Sequence, residues 1–145
     1  SEFSCIKKRL QALPEELIQK LIQSDIQTTK IITFIACMVT DRLLFELMYE
    51  VYRNKVHYGE ENITDADLNI FMNDKRDQSE KMAGFSDLTI RKLKQNYSKY
   101  MFETGLISGK TSEKKIEHLY IDTDIRDILL RNQMEKYYYA LTGEM

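Results

Sequence analysis

Two pairs of acidic residues, Asp65 with Asp67 and Asp122 with Asp124, have the spacing that could hold a hard divalent cation such as Mg²⁺. Each pair also stands where a helix begins, and there a carboxylate caps open backbone amides and complements the positive end of the helix dipole. Capping is the simpler account of both. Cys5 and Cys37 lack the CxxC spacing, and Cys37 sits inside an apolar run where it serves as a small hydrophobe. His57 and His118 are far apart, and neither has a ligand-type neighbour at helical spacing. There is no Gly-rich phosphate loop, no HExxH, no GxSxG and no Cys/His pair resembling a nucleophile with its base. The expectation is a protein that binds rather than catalyses, with no metal and no other cofactor.

The residues with a clear joint purpose are basic. On a helical wheel for residues 87–104, Ile90, Leu93, Tyr97, Tyr100 and Met101 fall on one side, and Arg91, Lys92, Lys94, Gln95, Ser98 and Lys99 on the other. One face packs, and the opposite face offers ammonium and guanidinium groups to phosphate and planar donors to base edges. Ser86 caps this helix, and its open N-terminal amides also favour phosphate. A lysine-rich face is also a common device for solubility, so the pattern by itself leaves both uses open.

The charge distribution sharpens the point. Between Leu88 and Lys115 there are seven basic and two acidic residues, while the other residues carry 14 basic and 21 acidic groups. A net charge of −2 therefore hides a bipolar chain. The positive part ends in Lys110, Lys114 and Lys115, within a stretch whose apolar ends, Leu106–Ile107 and Ile116–Ile121, flank a Gly-containing middle as in a small β-hairpin.

The elements that position this face are helices. Pro14 with Glu15 and Glu16 suits a first turn running to about Gln23, and Ile6–Ala12 ends a preceding helix. Ser24 is expected to cap a central helix in which Ile26, Ile31, Ile32, Phe34, Ile35, Met38 and Val39 cover most of the circumference. Leu43, Leu44, Leu47, Met48 and Val51 repeat at helical spacing from Asp41 to about Asn54. HYGEEN is read as a boundary, Thr64 with Asp67 as a capping box, the polar stretch NDKRDQSEKMAG as a break, Gly105 as a helix stop, and Asp122 or Thr123 as the cap of a last helical region ending at Gly143.

The expected fold is all-α: a compact helical bundle, residues 1–58 giving core helices and 59–145 a winged helix-turn-helix-like portion with at most one small hairpin, packed as one unit. At 145 residues with 43% hydrophobic content a real core is expected, and one proline and five glycines leave little linker material. The longest apolar run, Ile31–Val39, is far shorter than the roughly 20 residues a membrane helix needs. No signal-like start is present, so the expected compartment is the cytoplasm. Ser1, Glu2 and Phe3 have the look of an added leader, and a start in mid-pattern reads as a fragment whose upstream helices are missing.

The stretch ITDADLNIFMNDKRDQSEKMAGFSDLTIRKLKQNYSKYMFETGLI, preceded by RLLFELMYEVYRNKV and followed by YYYALTG, resembles the BrxA family of bacterial BREX phage-defence systems. The similarity rests on an order of features over most of the chain: RL and LP between Arg9 and Pro14, a long helix ending in Tyr52 and Lys55, Thr89 with Lys92 and Leu93, then Glu103, Gly105 and Leu106. The resemblance implies a small, non-enzymatic, helical nucleic-acid-binding protein with other BREX proteins as further partners. A recognition helix with a wing, which suits the major groove of B-form DNA, favours double-stranded DNA as the nucleic-acid partner. It also implies helices upstream of the RL…LP segment. An inner-membrane label once given to the family has no apolar run here to support it. The alternatives are an adaptor that contacts other defence components through its acidic remainder and tyrosines, and RNA binding of the NusB type.

Overall fold

The computed structural model describes residues 8–109 and 112–145. Residues 8–11 are helical and lead through Leu13 to Pro14, which stands at the N-cap of α1 (Glu15–Ile22). The cap of the central helix α2 (Ile26–Thr40) is Asp25, whose carboxylate accepts the Thr28 amide at 2.7 Å. Ser24, expected in that role, instead donates its hydroxyl to the Leu21 carbonyl at 3.1 Å and closes the helix before it. Ile31, Ile32, Phe34, Ile35, Ala36, Cys37 and Met38 of α2 are all buried, and the helix packs against α1.

Asp41 ends α2 and caps α3 (Arg42–Leu47), which continues through a π turn (Met48–Tyr52) into α4 (Arg53–His57). In a regular α-helix, positions four apart drift by about 40° per step. The wider π turn takes back that drift. Leu44, Met48 and Tyr52 therefore stay in line, and all three are buried.

A short strand, β1 (Asn62–Thr64), precedes α5 (Asp65–Gln78). The capping box is present: the Asp67 amide donates to Thr64 Oγ1 at 3.1 Å, and the Thr64 amide to Asp67 Oδ2 at 2.8 Å. The polar stretch expected to interrupt the pattern is largely helical, since α5 runs to Gln78 and Ser79 caps the one-turn α6 (Glu80–Ala83). Ion pairs of Lys75 and Arg76 hold it there in place of an apolar stripe.

Ser86 caps α7 (Asp87–Thr104), and Gly105 ends it in the left-handed region at φ 87°. The hairpin follows as β2 (Ile107–Ser108) and β3 (Glu113–Ile116), stopping short of the Ile121 read from the sequence. β1 adds a third strand on the far side of β3, giving the antiparallel order β1-β3-β2 with Ile63 opposite Lys114 and Ile107 opposite Ile116. The closing helical region is two helices, α8 (Thr123–Arg131), capped by Asp122, and α9 (Glu135–Thr142), stopped by Gly143. The chain is a mostly helical fold with one small sheet.

Candidate nucleic-acid interface

Helix α7 is anchored from one side. Ile90, Tyr97 and Met101 are buried, and Leu93 and Tyr100 are half-buried. The Tyr97 hydroxyl donates to the Asp41 carboxylate, 2.8 Å to Oδ2 and 3.0 Å to Oδ1, tying the middle of α7 to the junction of α2 and α3. Burial first, and the neighbouring Asp41 second, push this phenol well above its ordinary pKa, so it stays a donor. At the start of α7, Arg76 donates to Asp87 Oδ1 at 2.9 Å and to the Phe85 carbonyl at 2.6 Å, which locks α5 to α7.

The opposite side is open. Arg91, Lys92, Gln95 and Lys99 are exposed and Ser98 is half-buried. Leu88, Gln95 and Phe102 recur every seven residues along this side, with Leu88 54% and Phe102 49% exposed, so the face has apolar points as well as charged ones. Arg91 and Lys92 meet no carboxylate among the described residues, and Lys99 has one at 3.9 Å, Glu103. Lys94 differs: half-buried, its ammonium donates to Asn69 Oδ1 on α5, which makes it a tether between helices.

The hairpin brings together less than the sequence suggested. Lys115 is exposed on the outer face of β3, beside Glu113, whose carboxylate accepts from Asn62 Nδ2 at 3.0 Å. Lys114 lies on the other face with Ile63 and Ile116 and is half-buried. Lys110, like Cys5 and Ile6, is outside the described residues.

The BrxA family profile matches residues 1–133. The chain belongs to the BrxA family. It is 40% identical over 122 residues to the BREX protein BrxA of Bacillus cereus (strain H3081.97), covering 84% of this chain but 61% of that protein, less than two thirds of its length. The crystal structure of an uncharacterized protein from Magnetospirillum magneticum superposes with a TM-score of 0.82 at 17% identity, over 94% of this chain and 71% of that one, a likeness of fold.

Several residues on which the family resemblance was read have structural work. Tyr52, missed as a functional position, donates its hydroxyl to the carbonyls of Leu106 at 3.0 Å and Glu117 at 3.2 Å, the two ends of the β2–β3 hairpin. A signal was present: a tyrosine in line with Leu44 and Met48 carries a polar tip into the core and needs a partner there. Lys55 bridges Glu60 at 3.2 Å and Asp67 at 3.1 Å, Leu106 is buried, and Gly105 stops α7.

The acid pairs are engaged as well. Asp67 serves the capping box and Lys55, while Asp122 caps α8 and, with Asp124, holds Lys20 at 3.1 and 3.5 Å. Cys37 is a buried thiol, raised in pKa chiefly by that burial. His57 Nδ1 lies 3.0 Å from the Gly143 carbonyl, and His118 is exposed. No helix among the described residues is long and apolar enough to cross a membrane.

Proposed function

We propose that this chain is the duplex-DNA-binding part of a non-enzymatic, cytoplasmic component of a BREX phage-defence system, acting alongside other BREX proteins. α7 enters the major groove with Arg91, Lys92, Gln95, Ser98 and Lys99, and the β2–β3 hairpin holds flanking phosphate through Lys115 and Lys110. One observation carries the reading: α7 is fixed from behind by buried side chains, while its outer face carries Arg91 and Lys92 without carboxylate partners among the described residues. A second supports it. From α3 to β3 the order is one long helix (α3 through α4), β1, three helices (α5, the one-turn α6, α7), β2 and β3, with sheet order β1-β3-β2; with α6 taken as part of the turn, this order fits a winged helix-turn-helix. In this reading residues 1–58 supply the core helices, the last of which (α3 through α4) is also the first helix of the winged order, and residues 59–145 supply the rest of the winged portion.

The test is titration of labelled duplex DNA at two salt concentrations, with structured RNA as competitor. A duplex binder loses affinity steeply between low and moderate salt, because phosphate contacts release counterions. Failure to bind the duplex even at low salt favours an adaptor, and displacement by RNA at equal concentration favours the NusB-type alternative. Either result overturns the proposal.

A further inference from the structure

Behind α7, on the side away from its exposed face, a cleft of roughly 840 Å³ opens between residues 8–9, the α2–α3 junction, α6 and the inner side of α7. Its apolar lining is Leu43, Met82, Phe85 and Leu93. Five cations also line it, Lys8, Arg9, Arg42, Lys75 and Lys81, against two carboxylates, Asp41 and Glu46. Among the lining residues that is a surplus of three positive charges, in a chain whose net charge is −2; of the five cations, Lys75 is also met by Glu50 from outside the cleft at 2.8 Å.

Both carboxylates are already engaged. Asp41 accepts from the Tyr97 hydroxyl and the Leu44 amide, and Glu46 from Arg42 at 3.0 Å and Lys75 at 2.9 Å. Arg9 is engaged too, donating to Cys37 Sγ at 3.5 Å with its guanidinium 5.9 Å from the Tyr100 ring. Lys8 and Lys81 are different: both are exposed, and neither meets a carboxylate among the described residues. A cleft whose walls carry a surplus of one sign of charge concentrates counter-ions of the other. Its volume and its mix of apolar lining with a few convergent charges match those of small-ligand sites.

We propose that this cleft binds a nucleotide, its base against Phe85, Leu93 and Met82 and its phosphates toward Lys8 and Lys81. The apolar lining calls for a flat apolar body and the surplus charge for an anion, and a nucleotide joins the two in one molecule of suitable size. This site is independent of the outer face of α7 and stands whether or not duplex DNA binds there.

Isothermal titration with ATP, GTP and AMP tests it, with adenosine and inorganic phosphate as half-ligand controls. At least one nucleotide binds more tightly than about 1 mM, and each half-ligand at least about tenfold more weakly. The Lys8→Glu/Lys81→Glu double variant weakens nucleotide binding at least about tenfold, while Arg91→Glu/Lys92→Glu changes it less than about twofold. Amide shifts in the unmodified protein, read by NMR during the titration, move at Phe85 and Leu93, which covers the case of a variant that fails to fold. No binding by any nucleotide up to millimolar concentration overturns the proposal. So does loss of binding in the α7 variant with none in the cleft variant, or shifts confined to the outer face of α7.

Discussion

The ion-paired lysines of α4 and α5 and the cations on the outer face of α7 are similar in sequence and opposite in circumstance. Lys55 and Lys75 have side chains only 15% and 13% exposed, and each sits between two carboxylates: Glu60 and Asp67 for the first, Glu46 and Glu50 for the second. Burial pulls their pKa values down, but the carboxylate hydrogen bonds and charges outweigh it and leave both raised. Arg91 and Lys92 have no carboxylate among the described residues and stand in solvent. A count of positive charge does not separate these groups; pairing does. A cation already held by two carboxylates must lose them to meet phosphate, whereas an unpaired one gives up only water.

The strongest test removes a side chain on which both regions depend. Phe34 is 2% exposed in α2, the helix that packs against both α3 and α7. Phe34→Ala should lower stability by about 3–5 kcal/mol, through lost burial and the cavity left behind. A loss below about 1 kcal/mol in urea denaturation would place the ring outside the shared core.

Charge reversal on the open face should act on binding alone. Arg91→Glu with Lys92→Glu is expected to weaken duplex binding at least tenfold, about 1.4 kcal/mol, with stability changed by less than about 0.5 kcal/mol. The structure favours this pair over one that includes Lys94, because Lys94 is tethered to Asn69 and its reversal would also disturb α5. A folded double variant that binds as well as the parent would move the DNA surface off α7.

Between the regions stands Tyr52, part of the scaffold by position and of the hairpin by its bonds. Tyr52→Phe keeps the ring and removes the donor to Leu106 and Glu117, so it should cost about 1–2 kcal/mol. If the hairpin is held chiefly by this hydroxyl, its amides will exchange hydrogen faster in the variant while those of α2 do not. Uniform acceleration across the chain would contradict that division.

The paired lysines make a smaller prediction, with a pH signature. Glu46 is pushed up by burial but more than brought back by its hydrogen bonds to Lys75 and Arg42, so its carboxyl lies below the usual value. A lowered carboxyl contributes stability above its unfolded pKa, near 4.5, and loses it as pH falls through the folded value. The raised Lys75 contributes below its unfolded value, near 10.5, and loses its part only in strong alkali. Lys75→Met should therefore cost about 1 kcal/mol near neutral pH, and much less in acid, once the pH has fallen below the lowered folded pKa of Glu46. An equal cost at both pH values would show that the lysine acts through packing.

What the sequence made legible follows the same physical lines. Apolar spacing marked α2, the two faces of α7 and the stripe of α3, and side-chain chemistry marked the caps at Thr64 and Ser86 and the stop at Gly105. The misses have local reasons. β1 has three residues with one apolar side chain, too few to show alternation, and only its pairing with β3 makes it a strand. Ser24 and Asp25 are adjacent cap formers, and choosing between them needs the backbone. The polar stretch after Met72 is held by partners outside it, Glu46 and Glu50 more than twenty residues upstream and Asp87 eleven residues beyond Arg76, which its own pattern does not contain. The sides taken by Lys114 and Lys115 depend on strand register, and a shift of one residue exchanges them.

That last point gives the finest test of the comparison. Lys115 projects outward between the strand partners Asn62 and Ser108, while Lys114 is half-buried on the face shared with Ile63 and Ile116. If Lys115 meets a backbone phosphate, Lys115→Ala should reduce the slope of log affinity against log salt by about 0.9, the share of one phosphate contact. Such a contact fixes position without reading bases, so the preference among duplex sequences should not change. Lys114→Ala should leave the slope as it was and show its effect in thermal stability, because its stem is packed on the sheet's inner face. The two lysines are neighbours in sequence with the same charge, and the pleat sets them on opposite faces of the sheet. If Lys114→Ala flattened the salt dependence and Lys115→Ala did not, the hairpin would meet DNA with its other face, and the placement of α7 in the groove would have to be turned to match.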